Sequence, residues 1–593
     1  MLSGAFLLGT IGVALMGISF LPFGYAKNII DGLAPDGNCQ QFNSIYHGQI
    51  AGRVRGIALV ILIASGLIYG IRNKVTAYAS TLMRSTAAEL GEAAAMAHEA
   101  LRREENSHLA AMFLLLIGAL VLRIWFLFQP IRYDEAFTFM QFASKPLYRG
   151  LSDYSYPNNH PLHTFFVHIA SRIFGSQPWV IRLPACCAGM LTVAASYVAS
   201  RIVFDKRCAL LTAAFVATSP MLILYSTNAR GYMMICLVFL SLYVLGIALL
   251  RKSTPGRWLL FTLLSAAGWY TIPVMLYPFG IMVIWLCLSV IASGKRIDRL
   301  LFMQHLLISM TAVAALTGIA YLPIIAVSGI ESLVGHRFIN TLPWTDFGMR
   351  IPSYIHSLWL YWNNALPAWI AIACAVGFIA SCIFYRRLSG VPVPIVAAAP
   401  IWFVVLILLL RVMPHERVWL YLIPVYFMYA SSGISYLIKR MDVLIVRHAR
   451  AGTLLSAAVP VALACWLSFV VIQTKSVMHS PETGTLPDAQ QIAQFMKEYL
   501  KPGDAVYAPC PSDSPLSYYF MLQNIPLAHL SFEVPGHYKR IVVIVNHEAE
   551  QTLEGLLDKA HLEGGAFSVP KTIKEYNSAT LYELQRNDTP STA

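Results

Sequence analysis

The chain has 593 residues, 57% of them hydrophobic and only 12% charged, whereas a soluble globular protein carries about 25% charged residues. That balance excludes an ordinary soluble domain. Apolar runs of roughly 20 residues recur up to residue 472 and predict a polytopic α-helical membrane protein. The net charge of +13 does not point to nucleic acid, because the Lys and Arg residues fall mainly in short loops between apolar runs, where they set orientation.

In chain order, residues 4–24 and 56–71 are expected as membrane helices, and residues 75–106 as an amphipathic helix on the cytoplasmic side. Residues 1–108 thus form an N-terminal extension. Residues 109–128 deliver the stretch Tyr133-Asp134-Glu135 to a membrane boundary. Acids there are costly unless solvated or paired, so they tend to mark function. Residues 160–174 are short for a span and carry polar His163, His168 and Arg172, which predicts an amphipathic helix on the outer surface. Further crossings are expected at 179–200, 208–224, 231–250, 257–272, 274–292, 300–326, 366–385, 394–411, 416–438 and 452–472. The total is about 13 transmembrane helices, with the N-terminus inside and the C-terminus outside by the positive-inside rule.

After residue 472 the composition changes. Helices at 488–500, 514–522 and 549–560 alternate with strands at 504–508, 539–546 and 579–584, which predicts a small extracytoplasmic α/β domain over residues 473–593. No phosphate loop, nucleophile elbow or metal-ligand spacing occurs in it, and the ten Cys of the chain show no ligand pattern.

This topology gathers four ionisable features on the outer face. They are the loop 129–178, the turn around Arg230, the long loop 327–365 with His336, and the turn around Arg417. An activated group used there must arrive on a carrier that crosses the membrane, and a polyprenyl-phosphate sugar fits. Asp134 or Glu135 would be the catalytic base for an acceptor hydroxyl. Arg230, Arg417 and His160 would bind the donor phosphate, whose charge grows as it leaves. Tyr133, Asn159, Tyr232 and His336 complete the expected substrate pocket. A transporter or flippase of lipid-linked sugar is the alternative, but it predicts charges near the bilayer midplane and paired repeats.

At these residues the chain resembles the GT-C superfamily of membrane glycosyltransferases, in the branch of protein O-mannosyltransferases and lipid A aminoarabinose transferases. Tyr133-Asp134-Glu135-Ala136, Asn159-His160-Pro161-Leu162, Phe174-Gly175, Arg182-Leu183-Pro184, Ser219-Pro220, Asn228-Ala229-Arg230-Gly231-Tyr232 and Arg417 with Pro424 carry the resemblance, over about residues 109–472. It implies a GT-C-like transmembrane domain across 109–472, Asp134 as base, and inversion at the anomeric carbon of a hexosyl or pentosyl donor. It also implies a bacterial inner-membrane enzyme with membrane lipids around it and a glycan, lipid or protein acceptor. No cofactor is obligatory. The acids that the aminoarabinose branch carries are replaced here by Asn159 and Tyr232, which speaks against a metal site built from them and leaves divalent-metal dependence open, while His336 matches a loop His.

Overall fold

The computed structural model describes residues 2–33, 42–70, 72–294, 297–334, 341–445, 449–480, 482–531, 538–560 and 567–587. The expected pocket residue His336 lies outside the described residues. Six described helices are long and apolar enough to cross a membrane: Ser44–Leu67, Asn106–Leu127, Pro178–Val203, Tyr232–Arg251, Pro273–Ala292 and Arg299–Val327. The number is up to eight if each of two bent pairs is one span, and three shorter apolar helices accompany them. One bent pair is Leu8–Ile18 with Phe23–Gly32; the other is Lys206–Thr218 with Pro220–Ser226, bent by 61°. The continuous crossing expected at 208–224 is therefore kinked. Pro220 lacks the N–H needed to continue the helix, so the chain restarts at Ser219.

The chain divides into two compact units, one of residues 1–104, 151–157 and 245–340, the other of residues 105–150, 158–244 and 341–593. In the first, Arg72–Arg103 is a single 32-residue helix over the stretch expected to be amphipathic. It packs against Pro255–Thr271, where a Cβ at Gly256 would press on the Ser85–Thr86 backbone. The Arg257–Glu89 ion pair, at 2.6 Å, ties the same two helices.

The second unit holds the candidate site. Helices Ala368–Ile383 and Leu422–Ile445 cross where Gly377 meets Gly433, and a side chain at Gly433 would collide with the Gly377 carbonyl. Close backbone approach at small residues is how membrane helices associate without a hydrophobic driving force. Arg123, inside the first helix of this unit, is fully buried. Its guanidinium donates to the Ala217 carbonyl (3.1 Å) and the Ser226 hydroxyl (3.2 Å) on either side of the kink. The end of the helix Lys206–Thr218 supplies a carbonyl with no partner in its own helix.

The C-terminal part of this unit is a five-stranded sheet of order β2-β1-β3-β5-β4. The strands are β1 (Asp504–Tyr507), β2 (Leu530–Ser531), β3 (Arg540–Asn546), β4 (Lys571–Glu575) and β5 (Ala579–Gln585). β1, β2 and β3 are parallel, while β5 pairs antiparallel with β3 and β4. Strand periodicity sends Val506, Val542, Ile544 and Leu581 to one face, under helices Ala489–Tyr499 and Asp513–Leu522. Ala505, Ile541, Val543 and Val545 go to the other, under Leu553–Lys559. The first core does not stop at the sheet's helices. It continues into Ile131, Ala136, Phe139, Ala143 and Ile181, so the sheet shares its interior with the acidic stretch.

Candidate active site

Asp134 and Glu135 lie in the first turn of a short helix, Tyr133–Thr138. Both are buried, but in different ways. Glu135 accepts from the Arg132 backbone N–H (2.8 Å), the Ala229 backbone N–H (2.9 Å) and Arg182 Nε (2.9 Å), and Arg182 Nη2 holds its other oxygen closely. These four bonds use the lone pairs of a carboxylate. Arg182 is spent as completely. Its remaining donors go to the carbonyls of Leu127 (2.7 Å), Gln129 (2.7 Å) and Pro130 (3.0 Å). The pair thus stitches the end of the helix Asn106–Leu127 to the start of Pro178–Val203 and to the turn at Ala229.

Asp134 is held loosely by comparison. Oδ1 accepts from Asn158 Nδ2 at 3.3 Å, and Oδ2 faces Arg417 Nη1 at 3.2 Å. Arg230 donates through Nη1 to Thr138 Oγ1 and to the Asn158 carbonyl, both at 2.9 Å, while its buried Nε meets no partner among the described residues. Tyr232 lies beside both Arg230 and His160, with ring centroids 5.4 Å apart in an edge arrangement for the latter. Arg417 sits in the turn Glu416–Trp419, which the helix Trp344–Trp362 braces through Ser357 Oγ and Glu416 Oε1 at 2.8 Å. This helix falls in the long loop 327–365 that was expected on the outer face.

His160 is fully buried at the start of the helix Pro161–Phe174. Its Nδ1 accepts the Gly231 backbone N–H at 2.9 Å, so the neutral ring carries its proton on Nε2, which meets no partner among the described residues. Burial first, then the charges of Arg230, His163 and Arg417, hold the imidazole well below its ordinary pKa. The expected third cation is therefore a neutral donor of one hydrogen bond, because two guanidiniums nearby oppose a third charge. His163, one turn on, is pushed down to about 3 by burial and Arg230.

The helix after His160 has the expected amphipathicity. His163, Thr164 and Val167 face the protein, while Phe166, Ile169 and Ile173 are exposed. Two expected pocket residues are turned inward. Asn159 donates to the Gly150 carbonyl (2.9 Å) and accepts from Thr164 Oγ1 (2.8 Å), which closes the loop 150–164. The Tyr133 side chain lies against Gly484, where an added Cβ would meet it at 2.9 Å, and its hydroxyl bonds Cys510 and Ser514.

The segment joining the helical bundle to the sheet closes the site. Arg132 is buried and its guanidinium gathers the carbonyls of Val477 (2.6 Å), Met478 (3.2 Å), Ser480 (2.9 Å) and Glu482 (2.9 Å). The backbone N–H of Asp134 donates to the Thr483 carbonyl at 3.2 Å, and Asn228 Nδ2 donates to Thr483 Oγ1 at 3.2 Å. Glu482 Oε2 accepts from the Tyr225 hydroxyl at 2.8 Å. None of this was foreseen for Arg132, Arg182, Tyr225 or Glu482. A signal existed for Arg182, since an Arg in an apolar helix requires a partner and an acid pair lay upstream. Among the described residues no group of three or more His, Cys, Asp or Glu could hold a metal ion.

Residues 157–325 match the family described as dolichyl-phosphate-mannose-protein mannosyltransferase. Among solved structures, ArnT from Cupriavidus metallidurans in the apo state superimposes with a TM-score of 0.52 at 14% identity, covering 79% of this chain and 97% of that one. The chain has the GT-C fold. The same ArnT bound to undecaprenyl phosphate gives a TM-score of 0.53 at 14% identity, with the same coverage. No curated protein matches the sequence. Within this GT-C fold, Asp134, Arg417, Arg230, His160 and Tyr232 come together, whereas Glu135 and Asn159 serve the scaffold around them.

Proposed function

We propose that the protein is a membrane glycosyltransferase that moves a hexosyl or pentosyl group from a polyprenyl-phosphate donor to a hydroxyl acceptor on the extracytoplasmic face. The reading places the enzyme in a bacterial inner membrane with about 13 crossings and with the C-terminal sheet outside, as the basic loops require under the positive-inside rule. The observation that carries it is the Asp134 carboxylate with Arg417 at 3.2 Å and a second buried guanidinium, Arg230, one loop away. ArnT in complex with undecaprenyl phosphate supports a lipid-linked donor for this fold.

Asp134 takes the proton of the acceptor hydroxyl as its oxygen attacks the anomeric carbon. The bond from that carbon to the phosphate oxygen breaks, and the polyprenyl phosphate leaves with the bonding electrons. In this reading the acceptor oxygen attacks from the side opposite the leaving phosphate, so the configuration inverts. Arg417 balances the growing phosphate charge with donors not bound to Asp134, and guanidinium suits phosphate oxygens bidentately. His160 Nε2 and Arg230 Nε add neutral and cationic donors, both buried and unpartnered among the described residues. Glu135 cannot compete as base while its lone pairs are occupied. It positions the turn from which Asp134 projects.

The test is mass spectrometry of lipid-linked sugars and envelope glycans in a deletion strain. A transferase leaves a polyprenyl-phosphate sugar accumulated and one glycan residue missing. Unchanged donor and glycan pools would overturn the reading.

A further inference from the structure

Asp134 is not the only carboxylate of the site. Glu482 arrives from the segment before the C-terminal sheet, 350 residues after Arg132. Its backbone is fixed without help from its side chain: Arg132 Nη1 holds its carbonyl at 2.9 Å, and the neighbouring Thr483 carbonyl receives the Asp134 N–H. The half-buried side chain is thus not the main anchor of the segment. Among the described residues, Tyr225 alone bonds its carboxylate, through Oε2, which leaves Oε1 with acceptor capacity. Arg417 lies within its electrostatic reach, and a carboxylate only accepts hydrogen bonds. Tyr225 and Tyr232 stand together beside it, ring centroids 5.1 Å apart, and Tyr361 is close to both Tyr225 and Glu482.

Aromatic walls with one acceptor-only group suit a ring that offers C–H faces and hydroxyl or amino donors, which is a sugar. A phosphate would be repelled by the same carboxylate. We infer that Glu482 hydrogen-bonds the hydroxyl or amino groups of the donor sugar and so selects which sugar the enzyme takes. The inference rests on the transferase reading above and assigns the sugar end of the donor, as Arg417 and Arg230 take the phosphate end. The donor is favoured over the acceptor because Tyr225 and Tyr232 connect Glu482 to Arg230, the phosphate-end cation that does not bond Asp134.

The test uses the purified full chain in detergent and two probes. One is undecaprenyl phosphate without sugar; the other is the sugar-bearing lipid that accumulates in the deletion strain. Glu482→Ala should leave binding of the bare lipid phosphate within about twofold and weaken the sugar-bearing lipid on the order of 10–100-fold, the worth of a hydrogen bond to a charged group. Glu482→Gln should lie between. Tyr225→Phe, which removes only the hydroxyl, should cost less than Glu482→Ala. The melting temperature of Glu482→Ala should fall no further than the loss of the Tyr225 bond requires, because the other anchors are backbone atoms. Equal weakening of both lipids, unchanged affinity for the sugar-bearing lipid, or a rise confined to the acceptor KM would each overturn the assignment. Wild-type protein that binds neither lipid would instead overturn the transferase reading, and the Glu482 assignment with it.

Discussion

Glu135→Gln and Asp134→Asn, a few atoms apart, should have opposite consequences. In Glu135→Gln one carboxylate oxygen becomes an NH2 group facing an N–H of Arg182, Arg132 or Ala229, so an attraction becomes a donor–donor clash. The Arg182 charge stays fully buried and loses its counter-charge. Breaking a buried ion pair from one side costs about 3–5 kcal/mol. The Asp134–Arg417 pair is partly open, with side-chain exposures of 11% and 22%, and its loss should cost about 1 kcal/mol or less. Thermal unfolding of the purified proteins, followed by tryptophan fluorescence, should therefore rank wild type and Asp134→Asn close together and Glu135→Gln clearly below. Sugar transfer should rank the other way where folded protein remains: Asp134→Asn should lose about 10²–10⁴-fold, the contribution of a positioned base. A Glu135→Gln protein that melts with wild type would refute the buried-pair argument. An Asp134→Asn protein that transfers sugar at the wild-type rate would remove Asp134 as base.

Arg417→Ala should weaken undecaprenyl phosphate binding and slow transfer, with Arg417→Lys only partly restoring both, since an ammonium cannot bind bidentately; equal affinity in all three proteins would exclude the phosphate role. His163 has a lowered pKa in the folded state, so it binds a proton more readily when unfolded, and stability should be fully present above about pH 6.5 and fall toward pH 3. His163 should contribute up to about 1.4 kcal/mol per pH unit to that slope, and His163→Leu should remove this share in a melting series from pH 7.5 to 4.5, leaving the share of the buried His160. Gly433→Ala should cost about 1–3 kcal/mol by overpacking the helix crossing at Gly377, whereas Gly118→Ala, where a Cβ meets open space, should not; equal melting temperatures would contradict the close approach. A cysteine introduced near Asp488 should be labelled by an impermeant reagent from outside intact cells, and labelling only after the inner face is opened would reverse the topology.

Much of this was legible because apolar runs and punctuation residues act locally. β1, β3 and β5 were found within a residue or two, because residues 505–507 and 541–545 are short apolar runs and β5 carries Leu581 and Leu584 between polar residues. β4 was missed because it is a polar edge strand, largely exposed. β2 spans only two residues. The acid pair was legible as two carboxylates at the end of an apolar helix. Which one faces the pocket was not, because neighbours on a helix diverge by about 100° and the partner that distinguishes them, Arg182, is 47 residues away. Glu482 left no trace at all. It stands alone in a polar stretch, and only the fold brings it beside Tyr225.

The clamp made by Arg132 also has a consequence for biogenesis. Its four carbonyl acceptors are synthesised 345 to 350 residues after it. At roughly 5–20 residues per second, Arg132 waits about 20–70 s for its partners, already threaded through the membrane and holding a charge with nothing to receive it. Throughout that interval the nascent chain contains Asp134 but has no closed site around it. A chain that stops before residue 477 therefore lacks every carbonyl that the Arg132 guanidinium gathers. On the proposed reading, sugar transfer can begin only once residues 477–482 have docked.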